Sequence, residues 1–185
     1  DVKTAASVAR TLIHRESILS LNSVDTNGFP VSFSEYYADC LDSGDPTLIM
    51  LEISSTWKNI KNSPSTKLSF SVRTGDHPIS DNSVNPNYPG GIVKSTAGSP
   101  RLNVKGSLVR IEDPLEIAKI EKCFVQRHKD SVFWLPTNPT SAHKGFWVKF
   151  DVESIYMVGG FGDRAYIGDV PIDLYRNAEI IYDEL

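Results

Sequence analysis

The chain has 185 residues, long enough for one substantial domain whose core needs no staples. It is 40% hydrophobic and 23% charged, and seven Tyr with eight Phe argue against disorder. A net charge of -4 excludes the Lys/Arg stripe of a nucleic-acid partner, and no apolar run approaches the roughly 20 residues of a membrane span.

Residues 3–15 read as a helix, because Ala5, Val8, Ala9, Leu12 and Ile13 share one face. Ser17–Val24 alternates apolar residues with serines and predicts a strand, and Asp25–Gly28 predicts a hairpin turn with glycine where positive φ is easiest. Phe29–Asp39 follows as a second strand. Thr47–Ile53, nearly all apolar, predicts a third, buried on both sides. Ser54 or Ser55 then caps a short helix that runs through Asn62 and stops before Pro64.

Lys67–Arg73 alternates again, with Leu68, Phe70 and Val72 on one face. Residues 75–99 mix Pro78, Pro86, Pro89, Gly90 and Gly91 with Asn and Ser, and read as an insertion between strands, one of its ends tied to a sheet edge and the segment expected near the mouth of a cleft. Arg101–Glu112 is the fifth strand. Asp113-Pro114-Leu115-Glu116 starts a helix that reaches about Lys129, with Ile117, Ile120, Cys123 and Phe124 facing inward. Gly145–Val158 is a long strand broken by Gly159-Gly160-Phe161-Gly162, which turn the chain at a rim. Antiparallel strands joined by short turns, with few helices, predict a closed or nearly closed barrel.

The two cysteines, Cys40 and Cys123, suit no zinc spacing and permit at most one internal disulfide. They are expected as buried thiols, since free Cys packs as a small hydrophobe; spacing alone leaves open whether the sulfurs meet. The four histidines are scattered without ligand spacing, so no metal site is expected, and His128 in the last turn of its helix reads as a cation suited to the helix dipole. Ser32 and Ser34 share a strand face but have no partnered His or Asp, so no catalytic residues are assigned. Trp134 and Trp147 read as core or interface residues before cleft walls. The chain begins at Asp1 rather than Met, which points to a removed leader or an expression boundary. It holds no permitted glycosylation acceptor, Asn138-Pro139-Thr140 being blocked by its proline.

A set of short motifs in shared order carries a resemblance. They are Ala9-Arg10 with His14, Gly28-Phe29-Pro30, Lys58-Asn59-Ile60 with Asn62 and Pro64, Arg101 with Gly106, His128, Trp134, Phe146–Phe161 and Tyr175. Over roughly residues 5–176 the chain resembles the CREG family of secreted and endolysosomal proteins, within the flavin split-barrel superfamily of pyridoxamine phosphate oxidase. The resemblance implies a mainly β fold with flanking helices, a six-stranded split β-barrel of FMN-binding type, in one domain spanning 1–185 with the insertion at 75–99. It also implies a homodimer with two clefts at the subunit interface.

In flavin-binding relatives the cleft holds FMN, its phosphate gripped by basic residues of the second strand and of the turn and helix after the third. Here the second strand carries Glu35 and Asp39 instead, and Thr56 stands where those relatives carry lysine. Lys58 lies two residues on, roughly 200° around the helix, and points away. The candidate cleft residues are therefore Ser32, Ser34, Ser55, Thr56 and Lys58, with no cofactor expected and FMN as the alternative. The expectation is a non-catalytic homodimeric protein with a binding or regulatory role in the secretory, endolysosomal or vacuolar system, its partner or small ligand unidentified. The alternatives are an oxidoreductase using FMN or another flavin or haem cofactor in the same cleft, and a cytoplasmic location.

Overall fold

Alternation along the strands decides which side of the sheet becomes core. In β1 (Ile18–Val24) Leu19 and Leu21 are wholly buried while Ser20 and Asn22 lie on the opposite face. β4 (Lys67–Arg73) repeats the pattern with Leu68, Phe70 and Val72 inside and Ser69 and Ser71 outside. The computed structural model describes residues 1–81, 96–163 and 165–181.

The strands form one antiparallel sheet in the order β2-β1-β4-β5-β6-β3, where β2 is Pro30–Tyr36, β3 Thr47–Leu51, β5 Arg101–Arg110 and β6 Gly145–Val158. β6 is long enough to pair with β3 at its start, β5 along its length and the short β7 (Ile167–Val170) at its end. The expected six strands are thus joined by a seventh, which forms because Gly159–Gly162 turns the chain back and Gly159 N donates to the Tyr166 carbonyl at 2.7 Å. The sheet curls without closing. Its two ends are β2 and β3, and the segment just after β2 reaches β3 through one bridge, between Ala38 and Thr47. A bulge at Lys105/Gly106 helps the curl, and only glycine fits there: a Cβ on Gly106 would lie 2.0 Å from the Asp151 carbonyl oxygen.

Inside the curl sits the main core, where Phe70 meets Phe150 edge-on at 4.7 Å. Helix α1 (Val2–Arg15), capped by Asp1, adds Leu12 and Ile13 to it. Helix α2 (Ser55–Asn62) is capped by Ser54 and ties to β1 through Asn59 Nδ2, which donates to Ser23 Oγ at 3.1 Å. Helix α3 (Pro114–Arg127), with Asp113 as cap and Pro at its start, packs on a separate cluster containing Ile111, Ile120, Phe124 and Trp147. A short helix α4 (Ile172–Arg176) buries Tyr175, whose hydroxyl donates to the Gly44 carbonyl at 2.6 Å. No helix among the described residues is long and apolar enough to cross a membrane.

Two expectations are corrected. Cys40 and Cys123 form a disulfide, their Cα atoms 5.7 Å apart and 83 residues apart in sequence, so the sulfurs meet where two thiols were expected. His128 does end its helix as expected, but as a buried ring and not as a cation. It caps the end of α3, stacks on Tyr36 at 4.3 Å and donates from Nε2 to the Tyr37 carbonyl at 2.8 Å. Burial pulls its pKa below the ordinary histidine value, outweighing the Tyr37 carbonyl, so it sits there neutral.

The insertion joins β4 to β5, which are interior strands, not a sheet edge. Its root is pinned: Gly75 N donates to the buried Glu16 carboxylate at 2.8 Å, His77 Nδ1 donates to the same group at 2.6 Å, and Thr74 N donates to Pro100 at 3.1 Å. Asp81 pairs with Arg127 at the end of α3. Residues 82–95 of the expected insertion lie outside the described residues, and its end, Thr96–Gly98, forms a 3-10 turn.

Candidate functional site

The gap between β2 and β3 is the opening the sheet leaves in its own wall. A cavity of about 200 Å³ lies there, with Ser34, Glu35 and Tyr36 from β2, Met50 from β3, Ser54 from the cap of α2, and Phe124 and Trp134 beyond them. β2 delivers residues of both faces to it, because the strand is at the edge of the sheet and the bridge to β3 lies beyond its end, at Ala38. Phe124 reaches it from α3, held by the disulfide at the adjacent Cys123. Trp134 ends the 3-10 turn Lys129–Phe133 that follows α3.

Glu35 sets the electrostatics. It accepts from Thr56 Oγ1 at 3.4 Å, and Thr56 is itself buried in the first turn of α2. Burial raises the Glu35 pKa above the ordinary glutamate value, and the weak Thr56 bond recovers only part of the lost hydration. The start of α2, where an anion is favoured, therefore already faces a carboxyl group of the chain itself. Tyr36 is stacked on His128 and tilted 48° from Trp134, with ring centroids 6.1 Å apart. Its hydroxyl donates to Asp130 at 3.1 Å, and its own pKa is raised first by burial and then by that carboxylate.

Of the residues singled out by sequence, Ser34 lines the cavity and Thr56 reaches it through Glu35. Ser32 is exposed on the outer face of β2, opposite Asn22, while Ser55 and Lys58 are exposed on α2. Tyr36, Phe124 and Trp134 complete the cleft, and sequence reasoning missed their convergence. The periodicity that put Phe124 on the inward face of α3 was the available signal; nothing local says which strand gap that face covers.

A second polar cluster joins α1 to the segment after β2. Asp39 accepts from Arg10 Nη1 at 2.5 Å and from His14 Nδ1 at 3.2 Å, and Arg10 also meets Asp42 at 3.2 Å. Burial would raise the Asp39 pKa, but His14 and Arg10 together hold it below the ordinary aspartate value. The three acid and imidazole groups lie within 4.8 Å of one another, yet the buried guanidinium already bridges both carboxylates. This cluster fastens α1 to the turn between β2 and β3.

The family description "CREG, beta-barrel" matches residues 1–177. No curated protein matches the chain in sequence. Among solved structures, a heme binding protein from Mycobacterium smegmatis superposes with a TM-score of 0.71 at 18% identity, covering 95% of this chain and 61% of that one. This chain thus spans less than two thirds of that protein's length. ChuZ from Campylobacter jejuni gives 0.57 at 15% identity over 94% of this chain and 64% of that one. HutZ, the heme storage protein from Vibrio cholerae, gives 0.53 at 11% identity over 85% and 89%. At these identities the likeness is one of fold.

Proposed function

The chain belongs to the CREG β-barrel family, and from that premise we propose that it is a non-catalytic split-barrel protein acting as a homodimer. Its role is to bind a small ligand or protein partner in the secretory, endolysosomal or vacuolar system, with 1–185 as one domain and 75–99 as its insertion. The observation that carries the flavin-free reading is the Glu35–Thr56 pair at the start of α2. A flavin phosphate placed there meets a carboxylate where it needs a cation. Two unit charges 4 Å apart interact by about 4 kcal/mol at the effective dielectric of a protein surface. The missing basic donors forgo a further 1.5–3 kcal/mol or so each. At 1.4 kcal/mol per decade this moves a tight flavin site to micromolar or weaker.

The disulfide supports the compartment, since such bonds persist where the medium is oxidising. The β1–β2 hairpin supports the dimer: Val24, Phe29 and Phe33 are exposed along the sheet's open edge. Native mass spectrometry with an absorption spectrum tests the reading. Twice the chain mass without a visible band is expected; a monomer at micromolar concentration, or a yellow protein, would sink it.

The second reading is a cofactor-binding oxidoreductase, its cofactor binding favoured by the similar folds of a heme binding protein and a heme storage protein. The residues do not suit a haem. Among the described residues no histidine lines the cleft, and His128 nearby has its Nε2 committed to Tyr37. A Soret band on adding hemin, lost in a cleft variant, would restore that reading.

A further inference from the structure

We propose that the cleft between β2, β3 and α3 binds a small free organic cation, a quaternary or protonated amine, with Glu35 as its counter-charge and Tyr36 and Trp134 as its aromatic wall. The proposal rests on the flavin-free reading of this cleft and names the ligand class that reading leaves open.

Charge comes first. Glu35 is the one charged group among the cavity-lining residues; none of the others is Lys, Arg, His or Asp. Its hydrogen bond from Thr56, at 3.4 Å, is long, and among the described residues its second oxygen receives none. The N-terminus of α2 contributes about half a positive charge, which one carboxylate outweighs. With Glu35 ionised the cleft is negative, and a bound cation would favour that ionised form. A half-buried carboxylate so poorly solvated gains most from a ligand that brings its own positive charge.

The walls add selectivity. Tyr36 and Trp134 pack as a tilted pair, 48° between their planes with centroids 6.1 Å apart, and line the cavity side by side, so a cation in it can lie within about 6 Å of an aromatic ring. Tyr36 is held in place from behind by its stack on His128 and by Asp130. Met50 and Phe124 supply apolar surface against which N-methyl groups pack. The cavity, about 200 Å³, is smaller than the ~300–1,000 Å³ of drug-sized sites. It suits a methylated amine better than a fused-ring cofactor.

Choline, tetramethylammonium and the neutral isostere 3,3-dimethylbutanol are titrated into the wild-type protein by calorimetry, with tryptophan fluorescence as a second readout. The two cations are expected to bind saturably, and the isostere at least tenfold more weakly. Glu35→Gln, which removes a charge that burial disfavours, is expected to fold and to weaken choline at least tenfold. Trp134→Leu gives an independent check through the wall, with a loss of about threefold or more. No choline binding, equal binding of choline and the isostere, or undiminished binding by Glu35→Gln would each overturn the proposal. FMN titrated into the same sample separates the two failures. Tight FMN binding sinks the flavin-free reading, whereas absence of both ligands sinks only the cation site.

Discussion

Helices α1 and α3 have the same length, 14 residues each, and opposite relations to the fold. α1 buries Ala5, Ala6, Val8, Ala9, Arg10, Thr11, Leu12 and Ile13, and its apolar side is continuous with the barrel core. α3 buries only Ile120 and Phe124, on a separate cluster outside the curl. What α3 lacks in burial it makes up in fastenings: the Cys40–Cys123 disulfide, the His128 bond to Tyr37 and the Arg127 bond to the Arg15 carbonyl. One helix is core; the other is a wall mounted on the core. The cleft lies under the mounted wall, so the candidate site belongs to the region whose attachment can be altered without unfolding the barrel.

The comparison breaks most visibly through burial. Leu12→Ala in α1 should cost about 2–5 kcal/mol, because it opens a cavity that neighbouring side chains cannot fill. Leu115→Ala in α3, at a side chain 83% exposed, should cost almost nothing. Urea midpoints for the two variants check this; equal losses would mean α3 is as much core as α1.

The staple comes next. Replacing Cys40 and Cys123 by serine should cost about 2–4 kcal/mol, the usual range for a disulfide closing a long loop. Hydrogen exchange should locate the change, with α3 and the 3-10 turn after it losing protection while α1 and β4 keep theirs. Uniform loss across the chain would deny that α3 is a separate unit.

Acid sharpens the comparison with a smaller effect. His128 is held neutral by burial, its pKa below the ordinary value. Above about pH 6.5 the released and the packed histidine are both neutral and nothing is lost. Below that, the released one takes a proton that the packed one refuses, so stability falls with pH. Asp39, which anchors α1, has its pKa lowered, so its contribution persists until the pH drops below about 3.9. Between pH 7 and 5, protection factors in α3, taken relative to the intrinsic exchange rate at each pH, should therefore fall while those in α1 hold.

Sequence made the barrel readable where period and caps spoke for themselves. Serine–leucine alternation marked β1 and β4, and Asp113-Pro114 marked the start of α3. β2 was drawn too long, because Tyr37–Asp39 keep a strand-like pattern after the chain has left the ladder for the Ala38–Thr47 bridge. β7, of four residues, and α4, of five, carry too few positions for a period to show. The disulfide and the burial of His128 depend on contacts between α3 and the segment after β2, separations that no local pattern records. In the cleft, the missing lysine and the presence of Glu35 were visible from the start. That Thr56 turns its hydroxyl onto that carboxylate, and that Trp134 swings in beside Tyr36, became visible only in three dimensions.

The central claim is that a carboxylate stands where a phosphate would have to be held. Quenching of FMN fluorescence on titration with the purified protein tests it most directly. The account predicts no saturable quenching below micromolar protein, in keeping with charge repulsion and absent basic donors. A nanomolar dissociation constant would contradict it, and would mean that Glu35 gives way and a basic side chain such as Lys58 turns into the cleft.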